Sequence, residues 1–482
     1  MTTTSTKPVA LWQALLPVAA LILFLFVQIS IFGGPPHLPL ILGSVVAAAT
    51  GLILGHPWRE IEEGMVEGIV IAMKAILILM VVGILIGTWI VSGIVPVLID
   101  YGLRLLSPSY FLAAACVICS VVSVATGSSW TTAGTVGVAL IGIGHGLGVP
   151  PPMTAGAIVS GAYFGDKISP LSDSTNLSPA VAGAELFDHV QYMLITAIPA
   201  WILSLALYGM LGLSVQNAAI DTTQVDAIRS TLAASFHLSP LLLLPPLLVI
   251  AAVAFRIPAL PALIGGALLG GVMALWIQGT SLQQVAVAAH DGYTAHTGSA
   301  QVDELLSRGG LNSMMETVAL VLCALTFGGI MERTGLLRRL ADSILKLAHS
   351  TGSLVLATVG SCITTNIVAP DQYMSIIVPG RMYRETYAAR GLAPTNLSRA
   401  LEAGGTLSSP LVPWNTCGAF MSTALMVSAG AYFPYAFLNL ITPVLVVLVS
   451  FAGFRIAMLP AASDAAPTET RVAARAEPSL PS

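Results

Sequence analysis

Charge is scarce in this chain. Charged residues make up 9% of 482 residues, with 19 lysines and arginines against 23 aspartates and glutamates. A typical soluble domain carries about 25% charged residues, which keep its surface hydrated. Hydrophobic residues reach 56%, and the mean hydropathy is +0.87. This composition excludes a soluble enzyme, a nucleic-acid-binding protein and a disordered scaffold, and it predicts an all-α polytopic membrane protein.

Cysteines are also few, and enzyme signatures are missing. The five cysteines lie in apolar or small-residue segments, so we interpret them as small buried hydrophobic residues. The sequence contains no His-Glu-x-x-His, no Gly-x-Ser-x-Gly and no P-loop, the motifs that often mark hydrolases and nucleotide-binding enzymes. We therefore expect no enzymatic activity, no cofactor and no nucleic-acid partner.

Apolar runs about 20 residues long predict about fourteen crossings. They are Leu11–Ile31, Leu38–Gly55, Gly68–Val91, Tyr110–Val124, Trp130–Gly148, Met153–Glu185, Val190–Val215, Leu238–Phe255, Pro258–Ile277, Ser313–Met331, Gly352–Ile363, Gln372–Tyr383, Ser398–Ala429 and Tyr435–Met458. Met153–Glu185 and Ser398–Ala429 are polar enough to predict broken helices. The polar stretches Gln216–Ser235 and Gln278–Gly310 are expected to be loops.

Two blocks of the chain resemble each other. Gly87–Gly93 recurs as Gly329–Gly335, and Ser169-Pro170-Leu171 recurs as Ser409-Pro410-Leu411. The predicted organisation is therefore two N-terminal helices (1–60), a first five-helix repeat (61–215), a linker with two helices (216–311), a second five-helix repeat (312–458) and a disordered cytoplasmic tail (459–482).

The basic residues indicate that these repeats are inverted. The connector Gly93–Ser109 has one basic residue and its partner Arg333–His349 has four, whereas Ile143–Pro152 has none and its partner Arg381–Arg390 has three. Because basic residues favour the cytoplasmic side, equivalent connectors are expected on opposite sides, with both termini cytoplasmic. Inverted repeats with broken helices at the membrane midplane are typical of secondary transporters.

Polar residues concentrate in Gly161–Ala180, inside the first broken region. This segment holds two aspartates, a lysine, an asparagine and five serine or threonine hydroxyls. A charged side chain at the bilayer centre costs at least about 2.5–3.5 kcal/mol, so such groups persist where they are paired, hydrated or functional. Pro170 and Pro179 remove backbone donors, and a break would free carbonyl oxygens. Oxygen ligands suit a hard cation such as sodium; a polar loop outside the membrane is the alternative.

The core of this segment resembles a known signature. Gly165–Asn176 reads Gly-Asp-Lys-Ile-Ser-Pro-Leu-Ser-Asp-Ser-Thr-Asn and is similar to the Gly-Asp-Lys-x-Ser-Pro-x-Ser-Asp-Thr-Thr-Asn motif of NhaC-type sodium/proton antiporters, in the ion-transporter superfamily. Ser174 replaces a usual threonine and keeps the hydroxyl. The resemblance implies exchange of sodium for protons in the cytoplasmic membrane. It leaves the substrate open, because related carriers exchange sodium and protons together with carboxylates such as malate and lactate.

The expected ion site combines both blocks. The first block is expected to supply the sodium ligands Asp166, Asp173 and Asn176, the supporting hydroxyls of Ser169 and Thr175, and Lys167, which would pair with a carboxylate or act as a strut. The second block is expected to supply Thr365, Asn366, Asp371 and Asn415. In this interpretation Thr364–Asn366 interrupts a helix. Asp371 is a third carboxylate or gate, or else a helix N-cap.

Four features carry weaker expectations. Thr126–Ser129 is interpreted either as an unwound crossing point or as back-bonding within a continuous helix. Lys74 is expected to extend to the cytoplasmic surface rather than to take a buried role. Glu316 is assigned to a surface position or an access path, and Glu402 ranks below the three aspartates. The alternative function is a sodium- and proton-coupled exchanger of small carboxylates or amino acids, and the chain could act as a homodimer.

Overall fold

A computed structural model describes residues 8–216 and 222–459, and these form helices joined by short turns. The opening helices are α1 (Leu11–Phe26) and α2 (His37–Leu54). Next come α3 (Trp58–Ile71), α4 (Met73–Val91), α5 (Ile94–Leu105), α6 (Pro108–Thr126), α7 (Ser129–Thr132), α8 (Val138–Gly146), α9 (Pro151–Ile168), α10 (Asp173–Ala182) and α11 (Leu186–Gln216).

The middle of the chain is also helical. It contains α12 (Thr222–Ser235), α13 (Leu244–Ala254), α14 (Ala259–Ile277), α15 (Leu282–His290) and α16 (Ala300–Leu306). The last part contains α17 (Met315–Arg333), α18 (Leu336–Leu345), α19 (Thr351–Val368), α20 (Gln372–Ala389), α21 (Pro394–Leu401), α22 (Thr416–Leu425), α23 (Ala429–Tyr432) and α24 (Phe437–Phe451). Within the described ranges, the only β pairing consists of two isolated bridges.

The all-helical membrane fold is confirmed, but the count of fourteen crossings is not. Among the described residues, eight helices are long and apolar enough to cross a membrane, or ten if two bent helix pairs each count as one span. Helix α9 shows why a criterion based on length and apolar composition misses central helices. Every residue from Thr154 to Lys167 is buried in protein, so this helix does not need an apolar surface toward lipid.

Two stretches that were predicted to be loops contain helices. α12 lies in the first stretch, and α15 and α16 lie in the second. α12 buries Ile228 and Leu232, and its Arg229 donates from Nε to Asp100 Oδ1 at 3.0 Å. Its helical pattern is short and polar, which favours a loop when only composition is considered. The predicted tail lies outside the described residues except for Leu459.

The two blocks are built from equivalent elements. α5 and α18 both begin after a left-handed glycine, Gly93 (φ 81°) and Gly335 (φ 73°). α9 and α21 both begin with proline, at Pro151 and Pro394. α10 and α22 both follow a break in an otherwise helical region. These equivalences support the repeat; its division into domains and the opposite membrane orientation of its halves stay predictions.

Equivalent close contacts strengthen the repeat. A Cβ added to Gly161 would lie 2.8 Å from Cys119 Cβ, and one added to Gly404 would lie 2.9 Å from Cys362 Cβ. In both blocks, therefore, a glycine lets the broken helix approach the preceding long helix closely. The contacts also exchange between blocks, because α10 packs on α20 and α21, while α22 packs on α7 and the π-helical turn after it. Each half thus inserts a short helix into the other.

Candidate functional site

The predicted break in the first block lies between α9 and α10, at Ser169–Ser172. Thr175 Oγ1 donates to the freed carbonyls of Asp166 (2.9 Å) and Lys167 (3.0 Å). Ser169 Oγ donates to the Val124 carbonyl at 2.8 Å. The hydroxyls of Ser169 and Thr175, which are expected to surround an ion, therefore also hold the adjoining ends of α9 and α10 in place.

Asp166 lies at the end of α9 and is enclosed by donors. The residue is 7% exposed. Its Oδ2 accepts hydrogen bonds from the Ser129 amide (3.2 Å) and hydroxyl (2.6 Å), and its Oδ1 accepts one from the Ser172 hydroxyl. Ser129 is available because α6 ends at Gly127 (φ 64°) and Ser128 is extended. The unwound interpretation of Thr126–Ser129 is therefore confirmed.

Asp173 lies at the other end of the break and is open to its surroundings. Its Oδ2 lies 2.7 Å from Lys74 Nζ, with side-chain exposures of 59% and 63%. Lys74 comes into reach because the predicted single span Gly68–Val91 breaks at Ala72, between α3 and α4. The sequence favoured a surface position for Lys74 and did not predict its contact with Asp173. The only sequence signal for such a contact was that a single lysine lies inside a long apolar run.

Asn176 follows one helical turn after the N-cap of α10. Its Nδ2 donates to the carbonyls of Pro170 (2.8 Å) and Ser172 (2.7 Å). The Ser172 hydroxyl caps α10 through the Thr175 amide and also reaches Asp166. Ser172 therefore connects the enclosed carboxylate to the helix that carries the open one, Asp173.

Lys167 and Glu402 lie deeper. Both are 0% exposed, and Lys167 Nζ has no hydrogen-bond partner within the described ranges. Glu402 begins a π-helical turn, Glu402–Thr406. Its Oε1 accepts from Ser174 Oγ at 3.0 Å, and its Oε2 accepts from Ser178 Oγ. The sequence ranked Glu402 below the three aspartates and did not predict this contact, because only the packing of α10 against the second block brings Glu402 beside the motif.

The second block corrects one expectation. α19 runs unbroken to Val368, so Thr364–Asn366 does not interrupt it; Thr365 Oγ1 donates to the Ser361 carbonyl one turn earlier. The interruption comes at Ala369–Asp371, where Pro370 cannot donate a backbone hydrogen bond. Asp371 caps α20, since its Oδ1 accepts from the amides of Tyr373 (2.9 Å) and Met374 (3.2 Å). The N-cap alternative for Asp371 is therefore confirmed.

Asn366 and Asn415 are joined to each other. Asn415 Nδ2 donates to Asn366 Oδ1 at 2.9 Å, and Asn415 Oδ1 caps α22 through the Cys417 amide at 3.0 Å. Asn366 Nδ2 donates to the Gly405 carbonyl and to Ser408 Oγ. The side-chain oxygens of both asparagines therefore accept hydrogen bonds from within the protein. Together the two residues bridge α19, α22 and the turn that precedes α22.

A cavity of about 590 Å³ lies beside α22 and the start of α17. Its lining includes Asp291, Arg308, Glu316, Thr317 and Thr423. Thr317 and Thr423 share a hydrogen bond between α17 and α22. Glu316 is exposed and lies on the wall of this cavity, which agrees with the surface position; the access path stays a prediction.

Comparison with known proteins assigns the family. The sequence profile of the Na+/H+ antiporter family matches residues 2–175 and 161–454. The chain is 41% identical to the Na(+)/H(+) antiporter NhaC of Alkalihalophilus pseudofirmus, over 87% of this chain and 90% of that protein. It is 40% identical to the arginine/ornithine antiporter ArcD of Halobacterium salinarum (92% and 93%). It is 38% identical to the malate-2H(+)/Na(+)-lactate antiporter of Bacillus subtilis (87% and 90%). The resemblance carried by Gly165–Asn176 is confirmed: the chain belongs to the Na+/H+ antiporter family.

Proposed function

We propose that the protein exchanges sodium for protons across the cytoplasmic membrane by alternating access. The observation that carries this proposal is the pair of carboxylates at one helix break, with Asp166 enclosed by donors and Asp173 open beside Lys74. Relatives that are antiporters of sodium and protons, at about 40% identity over most of the chain, support it.

In this proposal, sodium competes with the Lys74 ammonium for the Asp173 carboxylate. A sodium ion that binds Asp173 displaces the Lys74 ammonium from the carboxylate, because both cations need the same oxygens. Ser169, Thr175 and Asn176 belong to the same helix break and the first turn after it, and they carry neutral oxygens of the kind that hard cations accept. Asp166 takes up a proton when sodium leaves and releases it when sodium returns. Hydroxyl donors from Ser129 and Ser172 hold its charged form in place.

The second block positions these groups. Asp371 and Asn415 cap α20 and α22, Asn366 bridges α19 to α22 through Asn415, and Thr365 bonds within α19. Movement of α10 and α22 relative to their surrounding helices would open the site to one side and then to the other. The inverted arrangement and the cytoplasmic location of both termini belong to this proposal.

A coupled exchanger of small organic acids or amino acids is the second candidate. It is favoured by relatives that transport arginine and ornithine, or malate and lactate, at 40% and 38% identity. The two functions separate in proteoliposomes. Sodium-driven proton movement without any organic acid supports the first, whereas an absolute requirement for malate, lactate or an amino acid supports the second.

Replacement of Asp173 tests the site. Asp173→Asn removes the charge that attracts sodium while keeping the size of the side chain. In everted membrane vesicles, this variant should not move protons when sodium is added. Normal exchange with unchanged sodium dependence would contradict the assignment of Asp173.

A further inference from the structure

Three buried side chains present nitrogen atoms without hydrogen-bond partners in the described part of the chain. They are Lys167 Nζ, His189 Nε2, and the Nε, Nη1 and Nη2 atoms of Arg399. All three residues are 0% exposed. They come from α9, α11 and α21. His189 Nδ1 lies 2.7 Å from the hydroxyl of Ser398, the residue before Arg399, and Lys167 lies within electrostatic reach of both Arg399 and His189. This group, the nitrogen cluster, therefore joins the two halves of the protein.

The charge of the nitrogen cluster is not balanced. Glu402 is the carboxylate that acts on Lys167, but its oxygens accept hydrogen bonds from Ser174 and Ser178. Within the described ranges Glu402 forms no ion pair with Lys167 or Arg399. A guanidinium stays charged in proteins, and a buried charge without a partner is costly. Lys167 thus forms no ion pair with its nearby carboxylate, and the Arg399 guanidinium has the Tyr192 ring as a neighbour but no hydrogen-bond acceptor among the described residues.

A hollow lies on the other side of Tyr192 from Arg399. The hollow, of about 600 Å³, is lined by Glu185, Asp188, Tyr192, Thr395 and Arg455, among others. The Arg399 guanidinium carbon lies 4.2 Å from the centroid of the Tyr192 ring. Thr395 is one helical turn before Arg399, and the Glu185 carbonyl accepts from the His189 amide one turn later. Tyr192 therefore lies between the hollow and Arg399.

We propose that Arg399, Lys167 and His189 form a subsite for the carboxylate group of a small organic acid, which enters from the hollow when Tyr192 moves aside. The guanidinium fork binds both carboxylate oxygens, and Lys167 adds a point charge. His189 Nδ1 is engaged with Ser398 Oγ at 2.7 Å, so its Nε2 is the nitrogen left for the ligand. This subsite rests on the second candidate function and adds the residues that would bind the carboxylate; sodium/proton exchange alone requires no carboxylate.

The mouth of the hollow favours one source of that carboxylate. Glu185 and Asp188 line it together with Arg455. The acids outnumber the base there, so the mouth attracts an ammonium group and repels a second carboxylate. An amino acid, with an ammonium next to its carboxylate, therefore suits the hollow better than malate does. Lactate, with one carboxylate and no ammonium, should lie between them.

Binding to the detergent-purified full chain tests the proposal. Calorimetry at constant sodium and pH compares arginine, alanine, lactate and malate with argininamide and alaninamide, which lack the carboxylate. At least one acid should bind while its amide does not, and Arg399→Gln should weaken binding by at least about tenfold, as expected for loss of a buried charged partner. The matched control Arg338→Gln, which changes an exposed arginine of α18 that does not line the hollow, should leave the affinity within about twofold of the unmodified chain.

Several outcomes overturn the proposal. These are the absence of binding by all four acids at millimolar concentration, equal binding of acid and amide, and equal weakening by Arg399→Gln and Arg338→Gln. If Arg399→Gln does not fold, Arg399→Lys decides, because it keeps the charge and loses the fork; unchanged affinity in that variant contradicts the subsite. Sodium/proton exchange measured in the same preparations reports separately on the proposed function.

Discussion

The Lys74 ammonium and the Asp173 carboxylate lie 2.7 Å apart, although 99 residues separate them in the chain. The contact joins the start of α4 to the start of α10. Both side chains are more than half exposed, so water and ions reach them. A sodium ion can therefore bind Asp173 only by competing with a positive charge that belongs to the protein.

Lys74→Gln should make sodium binding easier. An exposed ion pair contributes at most about 1 kcal/mol, so the sodium concentration for half-maximal exchange should fall by up to about fivefold. The measurement is sodium-dependent proton movement in everted vesicles. Lys74→Arg keeps the charge and should stay close to the unmodified protein. An unchanged or higher sodium requirement in Lys74→Gln would show that Lys74 does not compete with sodium.

Asp166→Asn should abolish exchange and lower stability. Asp166 accepts hydrogen bonds from Ser129 and Ser172, and an amide nitrogen cannot accept them. Unsatisfied buried donors cost about 1–3 kcal/mol each. Transport in vesicles and thermal unfolding in detergent measure the two effects. Asp226→Asn, at an exposed position of α12, serves as the control and should change neither. Substantial transport by a folded Asp166→Asn variant would remove Asp166 from the mechanism.

A disulfide between α17 and α22 should stop transport. Thr317 and Thr423 share a hydrogen bond, so cysteines at both positions are close enough to join under oxidation. If α22 moves during alternating access, the oxidised double variant should be inactive, and a reductant should restore it. Each single-cysteine variant is a control for the oxidant. Full activity with the bond formed would mean that α22 does not move relative to α17.

The two equivalent glycines should respond alike to an added methyl group. In Gly161→Ala the new Cβ would meet the Cys116 carbonyl, and in Gly404→Ala it would meet Cys362 Cβ. Overpacking of this kind costs about 1–3 kcal/mol, which should lower the thermal unfolding temperature. Gly360→Ala, with no neighbouring atom within 4 Å, should raise it slightly, because alanine favours a helix. Unfolding temperatures that do not separate these variants would contradict the close packing.

The loop before α17 should loosen in acid. Asp303 Oδ1 accepts hydrogen bonds from the Thr297 amide and hydroxyl, both at 2.7 Å, and these bonds lower the pKa of the Asp303 carboxyl. A carboxyl with a lowered pKa in the folded state adds stability above its ordinary pKa, near 4, and loses that contribution as the pH falls.

Hydrogen exchange measures this effect. After correction for intrinsic exchange rates, protection of the Thr297 amide should fall between pH 6 and a pH below about 4. Asp303→Asn should already show weaker protection at pH 6 and little further change in acid. Equal pH dependence in both proteins would indicate that Asp303 does not hold this loop.

Local patterns were enough to predict much of this protein. Low charge and apolar runs predicted an all-helical membrane fold, and the polar, proline-containing segment Gly161–Ala180 predicted a break that the structure places at Ser169–Ser172. Both follow from short-range physics, since hydrocarbon requires apolar helices and proline removes a backbone donor. The family was recognisable from Gly165–Asn176 for the same reason, because its residues are contiguous.

Packing between distant segments decided the rest. Lys74 contacts Asp173 because α3 and α4 separate at Ala72, and Glu402 contacts Ser174 and Ser178 because α10 lies against the second block. The side-chain amides of Asn366 and Asn415 join helices to each other, although their residue type alone suggested ion ligands. The sequence specifies which polar groups enter the membrane, because the free-energy cost of placing a group there depends on that group and its neighbours in the chain. Only tertiary structure specifies their partners, because a hydrogen bond or an ion pair depends on distance in space.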